Sequence, residues 1–209
     1  MVEQICDKLM KRVKLKMPEV DDQRAEVIRY GFELIIGEVP KFFILLAIAW
    51  ICGLLEHTII SIIVISTYRF TSGGVHLKSH IGCMIGTTFM YMGTAIISKA
   101  IYFPNFYIKI VVICLIYIFS IIMITLYAPA DTDYVPILRK RDRKIKKIAS
   151  YIIVTLILLG SIIIKNRIIS NICIIGVLFQ SITITRLVYK MFNVKFGYLE
   201  YIKTDKNAV

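Results

Sequence analysis

Long uncharged stretches alternate with short charged ones along this chain. Residues 79–98, 110–130, 148–164 and 168–185 contain no Asp, Glu, Lys or Arg. Apolar runs of about 17–25 residues cross a bilayer core of roughly 30 Å as helices. The pattern therefore predicts spans near 81–98, 106–128, 149–164 and 168–186. Another is predicted over 34–55, with Glu38 and Lys41 near its start placed to pair at i, i+3 or to reach toward the headgroups. Glu56, His57 and Thr58 read as a tight turn after it. The next apolar run, Ile59 to Ile65, is short; it either spans with help from Ser66–Tyr68 or dips in and returns. The expected fold is an all-α integral membrane protein with about six transmembrane or re-entrant helical segments.

The N-terminal part has a different period. Ile5, Leu9, Val13 and Met17 recur at steps of four with Met10 beside them, while lysines occupy the other side. This is an amphipathic helix suited to an anionic membrane surface or to the protein's own bundle, and Pro18 ends it. A second short helix from about Asp22 leads toward the membrane. The organisation expected is amphipathic cytoplasmic or interfacial helices over 1–33, a membrane domain over 34–189 with a basic cytoplasmic loop at 129–148, and a basic tail over 190–209. The first long apolar run follows a charged leader too long for a signal peptide, and no small-x-small cleavage site follows it, so the N-terminus is expected to be kept.

Composition excludes a soluble globular domain and a disordered chain. Of 209 residues 57% are hydrophobic and only 19% charged, with a mean hydropathy of +0.73, whereas soluble domains carry about 25% charged residues. Lys and Arg number 26 against 14 Asp and Glu, a net charge of +12, and the placement of positive charge sets membrane orientation. Residues 139–147 hold seven positive charges in nine positions, and the tail carries Lys190, Lys195, Lys203 and Lys206. Both are assigned to the cytoplasm. The links at 99–105 and 165–167, with one and two positive charges, face outward. A basic cytoplasmic N-terminus then requires the 59–68 segment to cross, which gives six spans. The protein is thus placed in the cell membrane with both termini cytoplasmic. Its expected surroundings are the lipid bilayer; no nucleic-acid partner is expected, and homo-oligomerisation is left open.

Five cysteines (Cys6, Cys52, Cys83, Cys114, Cys173) lack paired spacing, which is not a disulfide framework. Cys52, Cys114 and Cys173 sit in aliphatic runs and read as small packing residues. Cys83 differs, because two of the three histidines, His76 and His80, lie within eight residues of it. A Cys–His pair is the minimal activated nucleophile: imidazole takes the thiol proton and the thiolate attacks a carbonyl. Cys83 falls in the first turn of its span, where the helix dipole favours a thiolate, with Arg69 and Lys78 close in sequence. On one unbroken helix His76 and Cys83 would be roughly 10 Å apart, and proton transfer needs about 3 Å. The chain must bend between them, with Gly73-Gly74 on one side and Ser79 or Gly82 on the other as the means. His80, at i−3 from Cys83, is the competing base. Alternatively, His76, His80 and Cys83 could supply three ligands to zinc.

Three further features are notable. Pro129 and Pro136 bracket Asp131 and Asp133 where a span meets the cytosol; this reads as a proline-stopped helix with Asp131 in an Asx turn, or as a metal–phosphate site. Gly82-x3-Gly86 marks a close helix contact. Asn171, Gln180, Ser181, Thr183 and Thr185 are expected to face the bundle interior.

The stretch Arg69-Phe70-Thr71-Ser72-Gly73-Gly74-Val75-His76, followed by Cys83, resembles the signature of the accessory gene regulator protein B (AgrB) family. Ala128-Pro129-Ala130-Asp131-Thr132, the basic loop after it, the length and the span layout also match. The resemblance implies a membrane-embedded cysteine endopeptidase of Gram-positive quorum sensing. It implies His76 and Cys83 as the catalytic pair, with Arg69, Ser72 and the Gly73-Gly74 turn in support, and no cofactor or metal. The implied substrate is an AgrD-like precursor peptide with an acidic C-terminal tail, which is removed on the way to a cyclic thiolactone or lactone. A peptide exporter fits the hydropathy equally well but gives no reason for Gly-Gly-x-His-x6-Cys.

Overall fold

The computed structural model describes residues 2–17, 21–75, 80–132, 137, 139–195 and 197–198. Among them are eight helices and no named strand: α1 (Val2–Lys16), α2 (Asp22–Ile51), α3 (Leu55–Ser72), α4 (His80–Ala100), α5 (Phe106–Tyr127), α6 (Lys140–Ile163), α7 (Arg167–Thr183) and α8 (Arg186–Met191). Small polar side chains start several of them. The carboxylate of Asp21 accepts the Arg24 N–H at 2.7 Å, Asn105 accepts the Ile108 N–H at 2.8 Å, and Asn166 accepts those of Ile168 and Ile169 at 2.9 and 3.2 Å. Each satisfies a donor that the first helical turn leaves open.

The chain divides into two compact units, Met1–Cys52 and Gly53–Val209. In the first, α1 packs on α2. The inward stripe of α1 is Cys6, Leu9, Met10 and Val13, with Ile5 and Met17 exposed at its rim. Asp7 and Arg29 pair at 3.1 Å across the two helices. The lead-in helix and the first predicted span are one continuous 30-residue helix that accommodates Pro40. The turn after it falls at Cys52 and Gly53, so Glu56, His57 and Thr58 form the first turn of α3 and not a loop.

In the second unit α7 packs against α3, α4, α5 and α6. Residues Ser170 to Val177 of α7 are all buried, together with Gln180 and Ser181. A helix buried all round belongs at the centre of a bundle. Around it Ile65, Tyr68, Ile124, Val154 and Leu158 close the core. The outer faces are apolar too: Leu115, Leu126, Leu156 and Ile163 are largely exposed. An apolar exterior around an interior holding Ser, Asn and Gln is the arrangement a bilayer requires.

Among the described residues three helices are long and apolar enough to cross a membrane: α4 from Ile81, α5 and α6. The short run at 59–68 is the middle of α3, whose 18 residues reach about 27 Å; it is a continuous helix. α7 is apolar but has 17 residues, about 26 Å. The six expected segments correspond to α2 to α7, and six is an approximate count of crossings. None of the five cysteines forms a disulfide; Cys173 is buried, whereas Cys52 and Cys114 are exposed.

α3 and α7 approach closely at Gly176. A Cβ there would lie 3.1 Å from Ile65 Cγ1 and 3.2 Å from Val64 Cγ1. Gly176→Leu should therefore overpack the centre of the bundle and cost about 1–3 kcal/mol. Thermal unfolding of the detergent-solubilised protein should show a lowered midpoint; an unchanged midpoint would mean that α3 does not pack here.

Candidate functional site

Helix α3 ends where its sequence turns to glycine. Gly73 donates its N–H to the Arg69 carbonyl at 2.9 Å and leaves the helix at φ +71°. The chain then pairs with the segment after α5: Ala130 N donates to Ser72 O at 2.8 Å, and Gly74 N donates to Ala130 O at 2.8 Å, a single parallel bridge. A Cβ on Gly73 would sit 2.3 Å from Ala130 O, so the bridge forms only with glycine there. Gly74, at φ +149°, is held between Arg69, Gln180 and Thr183. The glycine pair thus shapes a strap, residues 72–75, that turns the chain away from α3.

Side chains of three elements hold the strap. Gln180 of α7, wholly buried, donates from Nε2 to Ser72 Oγ at 3.0 Å and to Gly73 O at 2.7 Å. Arg69 donates from its guanidinium to the carbonyl of Val75. Tyr189 of α8 donates to Ala130 O at 3.0 Å. Burial pushes the Tyr189 phenol above its ordinary value, with Arg69 opposing and Asp131 adding to the shift, so the group stays a donor.

Asp131 does more than cap a turn. Its Oδ2 accepts from Arg143 at 2.9 Å, from Ile137 N at 3.0 Å and from Tyr198 N at 3.1 Å. The side chain is 1% exposed and that of Arg143 is 21% exposed. Arg143 also donates to Pro129 O at 3.2 Å and lies 4.2 Å over the Tyr198 ring. The carboxylate thereby ties the post-α5 segment to the start of α6 and to the tail. Among the described residues no group of three or more His, Cys, Asp or Glu is placed to hold a metal. Asp133 and Pro136 lie outside the described residues.

Cys83 sits in the first turn of α4, half-buried, with Thr87 Oγ1 4.0 Å from its sulfur. It lines a cavity of about 320 Å³ together with Arg69, Val75, Gly86, Thr87, Phe89, Met90, Phe179, Ile182, Thr183, Val188 and Phe192. Structure therefore brings Cys83, Arg69 and the end of the strap to one pocket. Among the described residues α3 stops at Ser72, 73–75 are not helical, and α4 begins at His80. Gly82 lies within α4. His76 and Ser79 lie outside the described residues; of His80 only the backbone is described, as the first residue of α4.

A model of the accessory gene regulator B family matches residues 2–184. The chain belongs to that family. It is 25% identical to an AgrB-like protein of Clostridium acetobutylicum over 98% of this chain and 97% of the relative. It is 29% identical to an AgrB-like protein of Listeria innocua, over 97% and 95%, and 25% identical to one of Clostridium perfringens, over 88% and 92%. No solved structure matches it. Membership in the AgrB family implies a part in the agr quorum-sensing system, with an AgrD-like precursor as partner, and agrees with the membrane-protein fold.

Several residues of this candidate site carry no functional signal in the sequence. Gln180 stands out as an amide in an apolar helix, but its role in holding the strap does not follow from that. Tyr189 and the pocket walls at Phe179, Ile182, Val188 and Phe192 are ordinary residues until α7 and α8 are placed.

Two substitutions probe the strap. Gly73→Ala should cost about 1–3 kcal/mol for the forced positive φ, with the backbone clash at Ala130 added. Asp131→Asn should cost about 2–3 kcal/mol, because Arg143 loses its carboxylate and is only partly relieved by solvent. Both should appear as lowered unfolding midpoints in detergent, and Asp131→Asn should also expose the 129–143 region to proteolysis. Wild-type midpoints in both would rule the strap out as a structural element.

Proposed function

We propose that this protein is a membrane-embedded cysteine endopeptidase that removes the C-terminal tail of an AgrD-like precursor through a Cys83 acyl-enzyme. The observation that carries the reading is the shared pocket of Cys83, Arg69 and Val75. Val75 is the residue immediately before His76 in the sequence. This supports His76 as the base. His80 precedes Cys83 by three residues on the same helix and is the competitor.

The chemistry follows from the residue types. The imidazole takes the Cys83 thiol proton, and the sulfur attacks the carbonyl carbon before the tail. Collapse of the tetrahedral adduct breaks the C–N bond, and the imidazolium returns the proton to the leaving amine. The acyl group is now a thioester on Cys83. Attack by a cysteine thiol of the precursor forms the ring thioester and releases the Cys83 thiol, one thioester exchanged for another. The apolar pocket limits the competing attack by water. In this reading both termini and the basic loop at 139–147 lie on the cytoplasmic side of the plasma membrane, where positive charge attracts an acidic tail.

Co-expression with a tagged AgrD-like precursor tests the assignment. The natural chain should yield a shortened peptide. Cys83→Ser should lower the yield by on the order of 10³-fold or more, and His76→Ala by about 10²–10⁴-fold. Loss with His80→Ala but not with His76→Ala would transfer the base to His80. Cleavage that survives Cys83→Ser would overturn the peptidase reading in favour of an exporter. Loss to a chelator with resistance to thiol alkylation would overturn it in favour of a zinc hydrolase.

A further inference from the structure

Beyond α7 the chain folds back over the site it has just helped to build. Helix α8 starts with Thr185 Oγ1 accepting the Val188 N–H at 3.4 Å. It stops before Asn193, whose φ of +51° reverses the chain; asparagine is one of the few residues that tolerate this conformation. Asn193 N donates to Lys190 O at 3.2 Å and Val194 N to Tyr189 O at 3.0 Å, the paired bonds that close a helix through a left-handed residue. The reversal sends Val194 back into the core. The two sides of α8 have different neighbours. Val188 and Phe192, four apart and so on one face, line the cavity that Cys83 also lines. Tyr189 is buried against the segment after α5, donating to Ala130 O at 3.0 Å with Asp131 O at 3.3 Å.

Tyr198 makes a second attachment, again at Asp131. Its N–H donates to Asp131 Oδ2 at 3.1 Å, and the Arg143 guanidinium lies 4.2 Å over its ring. The two attachments are unequal. Tyr189 is wholly buried, whereas Tyr198 is only half-buried and held at the edge of the protein, where local opening begins. Helix α8 itself has six residues, too few to keep its place by its own backbone bonds. We propose that the segment from α8 to Tyr198 is a lid on the Cys83 pocket, with Tyr198 against Arg143 as its latch. Val188 and Phe192 are the part of the lid that meets the pocket, Tyr189 is its inner fastening and Tyr198 its outer one. The consequence for product rests on the peptidase reading above. Water adding to the thioester carbonyl releases a linear acid and the Cys83 thiol. The precursor's own thiol releases a ring thioester and the same Cys83 thiol. A closed lid keeps bulk water from the thioester and favours the ring.

The test treats the full-length protein in membrane vesicles with a bulky maleimide and reads labelling at each cysteine by peptide mass spectrometry. Cys83 reports the lid, and the buried Cys173 of α7 reports the integrity of the bundle. Tyr198→Ala should speed Cys83 labelling about two- to fivefold, the weight of one exposed cation–π contact, with Cys173 still protected. Tyr198→Phe keeps the ring and the backbone N–H and should label like the natural chain. Tyr189→Phe loses the hydroxyl donor and should speed Cys83 labelling about two- to tenfold. With a tagged AgrD-like precursor, Tyr198→Ala should raise the ratio of linear to cyclic product by a factor similar to its labelling effect. Unchanged Cys83 labelling in both Tyr198→Ala and Tyr189→Phe would overturn the lid. So would labelling of Cys173 in step with Cys83, because the segment would then be part of the bundle core. The two readings fail separately. Faster Cys83 labelling in a protein whose natural chain cleaves no precursor keeps the lid and sinks the peptidase, whereas cleavage with unchanged labelling sinks the lid alone.

Discussion

A polar group carried into a bundle surrounded by hydrocarbon must find its partner inside that bundle, because lipid offers none. Helix α7 carries four such side chains fully buried, Ser170, Asn171, Gln180 and Ser181. Each is answered by a different neighbour. Ser170 donates to Ser161 O of α6 at 2.6 Å, and Asn171 donates to Ser98 O and Ile101 O at the end of α4 at 3.0 and 2.9 Å. Ser181 donates to Ser120 Oγ of α5 at 2.8 Å and lies 3.1 Å from Tyr68 Oη of α3. Gln180 reaches the end of α3. Sliding or rotating α7 by one residue would strand all four, so these bonds set the register of the bundle where apolar packing alone tolerates several.

The candidate site is a product of that register. Gln180 uses its buried amide nitrogen to hold Ser72 and Gly73, and this shapes the strap that runs to Val75. Phe179 and Ile182, beside Gln180 in sequence but on another face of α7, form a wall of the Cys83 pocket. One turn of one helix therefore holds the strap on one side and lines the pocket on the other. The bridge between Gly73 and Ala130 adds a second hold, and the Asp131–Arg143 pair extends it to α6. A site built this way is positioned by several elements at once and does not depend on a single loop.

The basic residues also make structural contacts. Lys147 donates to the carbonyl of Thr125 at 2.6 Å, at the C-terminal end of α5 where the helix dipole is negative. Lys146 lies 5.6 Å over the Phe70 ring and Arg186 lies 5.9 Å over that of Tyr127. At the other end of the bundle Lys109 donates to Ser161 O at 3.0 Å. Charges that flank the spans thus also cap carbonyls and cover aromatic faces.

By itself the sequence determined what depends on local composition. The long uncharged runs declared helical spans, since a chain in lipid must close its own backbone hydrogen bonds. The glycine pair declared a break before Cys83, because positive φ favours glycine. Asn171, Gln180 and Ser181 declared an interior face, because intramembrane amides and hydroxyls avoid lipid. Local pattern misplaced the turn at Glu56–Thr58, where a charged run looked like a loop but Gly53 makes the bend. It read Asp131 as a turn residue, since Arg143 is twelve positions away. What only the tertiary structure decided is which residues separated by 50 to 110 positions meet: Gly73 with Ala130, Ser72 with Gln180, and Cys83 with Phe179 and Phe192. Such meetings depend on the register of packed helices, and register is set by mutual satisfaction of groups on different segments, which no single segment encodes.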